Sequence, residues 1–383
     1  MKSTEDAHSA TRKTGLVWHE RFMWHTTGIA GGAMPVGGYI EPGLLHIESP
    51  DAKRRIRNLI EVSGLLQHLH QVRPREATEE EILRVHDREY LQRLVDLSAQ
   101  GFGDAGERAP VGPGSWAIAC LAAGGCIEAA DAIMAGQIDN AYALVRPAGH
   151  HAERGRGRGF CLLSNGGITI EHLRERHGLK RIAVVDFDAH HGNGAQELYF
   201  SDPSVLTISI HEESNYPPNS GAISENGAGD GEGCNINVPL PPGSGHYAHL
   251  AAMERVVCPA LERYQPQMIL VSSGFDSCIF DPLARQMTMA ETFRLMTRLL
   301  VSAAGRLCDR RLLMIHEGGY AEFYTPFCGL AVMEELSGIQ TGVEDPFGFH
   351  ITKPVHTIQP HQAAIIEKAA RLVDLIPAIR EFQ

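Results

Sequence analysis

The chain predicts an α/β fold in three layers, with a mostly parallel sheet covered by helices on both faces. Strand-like apolar runs and helical patterns alternate from about Tyr142 to His316, the signature of a parallel sheet joined by helical crossovers. The runs are short and apolar throughout, as in Ile182 to Val185, which marks strands buried on both faces. Four of them end in polar groups: Val145 runs into RPAGHHA, Val185 into DFDAHHGNG, Val271 into SSGFDS and Ile315 into HEGGY. In open α/β sheets, ligand sites form beyond these carboxyl ends.

In chain order, residues 1–13 are polar and are expected to be a disordered leader, since they bury no apolar surface. Gly15 begins a strand that becomes aromatic-rich by His25. Gly28 to Pro50 is punctuated by Gly and Pro, and a loop of this length lines a site or an interface. Helical patterns follow at Asp51 to Gly64, Thr78 to Gln100 and Ser115 to Ala135, the second with a Thr cap. The loop GFGDAGERAPVGPG separates the last two. Strands are then expected at Tyr142 to Val145, Ile182 to Asp188, Val205 to Ile210, Met268 to Ser273 and Leu312 to His316. Helices are expected at Gly167 to His177, His246 to Tyr264, Ala290 to Cys308 and Gln362 to Arg380. No linker or repeat interrupts this run, so residues 14–383 are expected to form a single domain.

Composition narrows the function. A hydrophobic share of 43% and a net charge of -12 describe a globular chain without the basic face that nucleic-acid backbones require. No membrane-spanning run or secretory signal is recognised, so no nucleic-acid or membrane partner is expected and the cytoplasm is the expected location. Eight cysteines without a C-x-x-C pair read as free thiols.

The stretch RIAVVDFDAHHGNGAQ holds the densest chemistry. Side chains alternate along a strand, so Asp186, Asp188 and His190 share one face while Phe187, Ala189 and His191 share the other. Asp188, His190 and Asp276 form an oxygen–nitrogen–oxygen set suited to zinc or a similar divalent ion, with a position open for water. Each part also has an ordinary reading. A D-x-H arises by chance, a lone Asp at a strand end caps the next helix, and the pairs His150–His151 and His190–His191 suit a solvated loop.

The motifs RPAGHHA, GFC, DFDAHHGNG, SGFD and EGGY, in this order, resemble the zinc-dependent histone deacetylase superfamily. HHGNG, NVPLPPGSG, DPLAR and PFCGLAV resemble its bacterial class II branch, the histone deacetylase-like amidohydrolases. The resemblance runs from about Gly15 to PFCGLAVMEELSG. It implies an arginase/deacetylase-like three-layer fold with a central eight-stranded parallel sheet, and hydrolysis of N-acyl amides, usually acetylated lysine.

Carried over residue by residue, the resemblance makes Asp188, His190 and Asp276 the zinc ligands. His151 becomes the general base and His150 its electrostatic partner, with Asp186 behind His150 and Asn193 behind His151. Many relatives have Asp at the latter position, and a neutral partner implies a less basic His151. Tyr320 is the expected oxyanion donor, and Gly318 and Gly319 bring it in. His191 receives no role. Phe160 and Tyr216, with Gly159, are expected to wall the substrate channel. Potassium is implied at two sites, an inner one from Asp186, Asp188, His190, Ser209 and Ile210 and an outer one near Tyr199, Asp202, Val205 and Cys234.

Departures bear on the substrate. Arg154, Arg156 and Arg158 precede the channel phenylalanine, and cations at the mouth disfavour polyamines or histone tails and welcome neutral or anionic amides. An acidic gatekeeper associated with polyamine specificity is replaced by Leu283. Asp104 or Glu107 is the candidate to grip the substrate backbone. The expected partner is therefore an acyl-lysine or other small N-acyl amide. Acetylpolyamines and xenobiotic, pesticide-type carboxamides are the alternatives. Intact His151, Tyr320 and triad argue against a silent binding module, and the single-ion triad argues against a binuclear manganese ureohydrolase. Iron or cobalt satisfy the same ligands. A homo-oligomer, dimer or tetramer, is expected, with Gly28 to Pro50 as its contact.

Overall fold

The computed structural model describes residues 12–377 except 31, 35, 36 and 42. The expected leader therefore falls almost wholly outside the described residues, as do residues 378–380 of the last predicted helix. Within them that helix ends early, its α-helical part stopping at Leu372 before a 3-10 turn over Val373–Leu375.

Eight strands form one sheet: β1 (Thr14–Val17), β2 (His70–Val72), β3 (Asn140–Ala143), β4 (Ile182–Asp186), β5 (Val205–Glu212), β6 (Asn235–Leu240), β7 (Met268–Ser273) and β8 (Leu312–His316). Their order across the sheet is β6-β5-β4-β7-β8-β3-β1-β2, and every neighbouring pair is parallel. After β4 the chain builds β5 and β6 to one side, then returns to place β7 on the other. Strand order reverses there, which opens a crevice at the carboxyl ends of β4 and β7.

Helices α1 (Asp51–Val62), α2 (Glu79–Leu83), α3 (Arg88–Gln100), α4 (Ser115–Met134), α5 (Asn165–His177), α6 (Asn193–Tyr199), α7 (His246–Ala252), α8 (Cys258–Tyr264), α9 (Ala290–Leu307), α10 (Thr325–Ser337) and α11 (Pro360–Leu372) surround it. The period-two alternation of β4 divides the core. Ala183 and Val185 pack into one layer with Phe293, Met296 and Leu300 of α9. Ile182 and Val184 pack into the other with Cys126 and Ala129 of α4 and Ile170 of α5. Burial on both faces is why β4 is apolar at every position before Asp186.

Several expectations shift. The helix expected over Thr78 to Gln100 breaks into α2 and α3, because the backbone at Asp87 is extended. There His86 Nε2 accepts the Ser164 amide at 2.9 Å. Strands β2 and β6 lack an apolar run. β2 exposes two of its three residues, and β6 contains Pro239, which its place at the sheet edge tolerates. The expectation that no segment is long and apolar enough to span a bilayer is corrected at α4. Ser115–Met134 has a mean hydropathy of 1.6, but 78% of that window is buried inside the protein, so its apolar surface faces the core. All eight cysteines are free, and all but Cys258 are buried.

Candidate active site

The four strands with polar ends are consecutive in the sheet, β4-β7-β8-β3. Register aligns those ends: Asp186 pairs with Ser272, Ser273 with His316 and Ile315 with Ala143. Motifs far apart in sequence thereby meet along one crevice.

Asp188, His190 and Asp276 meet at its centre. His190 Nδ1 lies 3.1 Å from Asp188 Oδ1 and 3.0 Å from Asp276 Oδ2, with both carboxylates fully buried. The Gly318 amide donates to Asp188 Oδ2 at 2.9 Å and the Ala189 amide to Asp276 Oδ1 at 2.7 Å, which aims each carboxylate inward. Burial, with the nearby Asp188 charge adding to it, pushes the Asp276 carboxyl up to about 6 against the pull of His190. Two dry carboxylates converging on one imidazole carry a desolvation cost that a divalent cation among them offsets. The donor set fits such an ion. A Cβ on Gly318 would lie 2.1 Å from Asp276 Oδ2, and one on Gly274 2.0 Å from Asp188 Oδ2, so glycine is required at both positions.

The tandem histidine rings lie tilted against each other with centroids 3.9 Å apart, and their surroundings push their pKa values in opposite directions. His150 Nδ1 meets Asp186 Oδ2 at 2.9 Å. Burial disfavours its charge, but Asp188 and Asp186 outweigh burial and push it up to about 10. His151 Nδ1 meets Asn193 Oδ1 at 2.7 Å. Burial, together with the charges of His150 and His190, holds His151 well below the usual imidazole range. Neighbouring groups with separated pKa values are suited to distinct acid and base roles. The Asn193 amide is itself oriented, its Nδ2 donating to Glu153 Oε1 at 2.8 Å. His151 Nδ1 therefore carries the proton, and Nε2 keeps its lone pair.

The channel above this centre is a cavity of about 120 Å³, lined by His151, Gly159, Phe160, His190, Tyr216, Leu283 and Tyr320 with Ala33, Arg108 and Asn215. Tyr216 packs edge-on against His151 at 5.1 Å and Phe160 against Tyr320 at 5.9 Å. Gly159 has φ +50°, and a Cβ there would lie 2.4 Å from His151 Cδ2. The Tyr320 amide donates to Asp281 Oδ2 at 2.7 Å. Removal from water, with the charges of Asp276 and Asp188, keeps the Tyr320 hydroxyl protonated far above its usual range.

Other expected residues lie elsewhere. Asp104 is exposed and turned into its own loop, Oδ1 accepting the Gly106 and Ala109 amides at 2.8 and 3.2 Å; it does not line the channel. Glu107 pairs with Arg158 at 2.8 Å. His191 faces Ser220 at 2.7 Å, away from the triad, as its alternation implies. Asp186 and Ser209 are register partners. Around the α6–β5 loop, the Asp202 amide donates to the Tyr199 carbonyl, the Val205 amide to that of Asp202 and the Thr207 amide to that of Cys234.

Sequence reading missed several buried groups, Glu317 and Glu48 among them. Glu317 Oε2 accepts the Gly149 and His150 amides at 2.7 and 3.0 Å and so holds the histidine loop; its place inside HEGGY was the available signal. Glu48 accepts from Arg146 at 2.8 Å and Lys53 at 2.9 Å, and the Lys53 ammonium lies 5.3 Å from the Tyr320 ring centre. Only the length of the loop carrying Glu48 hinted at it.

Residues 46–336 match the histone deacetylase domain. The chain belongs to the histone deacetylase family. It is 45% identical to a histone deacetylase-like amidohydrolase of Pseudomonas aeruginosa, over 96% of this chain and 98% of that protein. It is 36% identical to the human polyamine deacetylase HDAC10, over 72% of this chain and 42% of that protein. Among solved structures, the HDA15 HD domain superposes with a TM-score of 0.82 at 29% identity, covering 94% of this chain and 96% of that one. This member of the histone deacetylase family is thus a deacetylase-type amidohydrolase, cleaving amide C–N bonds.

Proposed function

We propose that the protein is a zinc-dependent deacylase of acetyl-lysine-type or other small N-acyl amides. The observation that carries this reading is the buried Asp188–His190–Asp276 set, within 3.1 Å of a shared nitrogen, at the floor of a channel walled by His151 and Tyr320. Zinc held by those three residues supplies carbonyl polarisation and a water of lowered pKa. His151, neutral and with Nε2 free, takes a proton from the attacking water and returns it to the leaving amine. His150 stays charged beside it, and Asp186 and Asn193 orient the two rings. The protonated Tyr320 hydroxyl donates to the oxyanion. Phe160 and Tyr216 exclude water from the acyl chain, and Leu283 sets an apolar edge.

We further propose potassium at an inner site of Asp186, Asp188, His190, Ser209 and Ile210, supported by the Asp186–Ser209 register. An outer site uses the carbonyl oxygens of Tyr199, Asp202, Val205 and Cys234. The cytoplasm is the assigned location, supported by eight unpaired cysteines, since reducing compartments keep thiols free. A homo-oligomer is supported by the exposed Ile29, Met34, Tyr39 and Leu45 along one loop, because clustered apolar surface favours self-association.

The test is turnover of a fluorogenic acetyl-lysine amide. Chelation is expected to abolish it, zinc to restore it, and Asp188→Asn to remove both activity and bound metal. Full activity in metal-free protein would rule out the zinc reading.

A further inference from the structure

We propose that Arg108 is a substrate-binding residue that selects amides carrying a carboxylate on the leaving-amine side, such as an ε-acylated diamino acid with its α-carboxylate free. The proposal rests on the deacylase reading of the channel and names the substrate class it takes.

The loop from Gly103 to Val111 is strapped to the channel wall. Its Gly106–Glu107 strand pairs with Gly157–Arg158. The Glu107 carbonyl accepts the Gly159 amide at 3.0 Å, and the Arg108 carbonyl accepts the Phe160 amide at 2.8 Å. Arg108 itself sits at φ +52°, a left-handed conformation that a non-glycine residue adopts at a cost. The backbone that carries the guanidinium is therefore fixed to the same segment that supplies Gly159 and Phe160.

Most of the charges beside the channel wall are committed, Arg154 at the exposed turn excepted. Asp104 caps its own turn. Glu107 is neutralised by Arg158, whose other nitrogen meets Glu153 at 2.8 Å, and Arg156 also pairs with Glu153. The Arg154–Arg158 segment, which by sequence promised a cationic rim, thus spends two of its three cations on carboxylates. Arg108 differs: among the described residues no carboxylate pairs with it, and its guanidinium lies 6.0 Å from the Tyr216 ring centre. It is the one permanently charged side chain among the described residues lining the channel.

An unpaired guanidinium beside an aromatic wall offers a planar fork of donors to a carboxylate and repels an ammonium. Leu283 and Asn215, also at the channel, add no opposing charge. The net charge of -12 makes a positive mouth a local exception in an acidic protein, so an anionic substrate gains attraction mainly at this point.

The experiment compares kcat/KM for three acetyl amides matched in chain length: ε-acetyl-lysine with a free carboxylate, its carboxamide, and the monoacetylated diamine with a free ammonium. The zinc-loaded wild type is expected to prefer them in that order. In Arg108→Gln the carboxylate-to-carboxamide ratio should fall about tenfold. Arg108→Glu should shift the preference toward the ammonium substrate, and Arg108→Lys should retain part of the ratio. A merely structural role would lower all three rates together and leave the ratios in place, which would overturn the proposal. A wild-type preference for the ammonium substrate would overturn it as well. No turnover of any of the three by zinc-loaded protein would overturn the deacylase reading and Arg108's role with it.

Discussion

Asn193 and Tyr320 make separable contributions at the site. Replacing Asn193 by Asp puts a charge 2.7 Å from the His151 ring nitrogen and raises the pKa of that ring. A general base acts only when deprotonated, so the acid limb of the kcat/KM profile should move to higher pH in Asn193→Asp, as read from pH–rate curves. Tyr320→Phe removes a donor whose partner gains charge only as the reaction proceeds. Its kcat should fall about 10²- to 10³-fold with KM changed far less, a split that steady-state kinetics resolves. The positions of both residues at the site were legible in their motifs. The Asn193–Glu153 contact behind the histidine was not, because it joins side chains that sequence alone does not align.

At the scale of elements, the turn after β8 brings backbone against the Asp188 and Asp276 carboxylates. Gly318 donates its amide to Asp188, and an added Cβ would stand 2.1 Å from Asp276 Oδ2. Gly318→Ala should therefore fold but lose bound metal, with a zinc content well below one ion per chain by elemental analysis. Near-stoichiometric metal in that variant would contradict the close approach. The sequence places a Gly-Gly turn here for bringing Tyr320 in. The structure adds that Gly318 is small because two carboxylates pass beside it. The split between α2 and α3 has a similar origin, since His86 leaves the helical path to serve the Ser164 amide on a distant segment.

The whole molecule depends on a buried ionic cluster that joins the long loop, α1 and the end of β3. Burial alone would raise the Glu48 carboxyl, but Arg146 and Lys53 outweigh it and hold it at about 2. A depressed carboxyl stabilises the fold at pH above its unfolded value and loses that contribution as pH falls. This part of the stability should therefore disappear between about pH 4.5 and 2. Glu48→Gln leaves two buried cations short of a partner and should cost about 3–5 kcal/mol, measured by urea unfolding at neutral pH. The same substitution should flatten the acid dependence. An unchanged unfolding midpoint would contradict the role of the cluster.

What the sequence determined by itself was local: apolar runs that must be buried on both faces, their polar ends, and the alternation that separates Asp188 and His190 from His191. Five motifs in order were enough to place the chain in its family. Tertiary structure decided which ends lie side by side. Strand order is set by pairing between segments far apart in the chain, and nothing within β4 specifies that β7 flanks it. The same holds for charge. Arg154, Arg156, Arg158 and Arg108 look alike as letters, and only the fold shows that Glu107 and Glu153 take up Arg158 while Arg108 is left facing the channel.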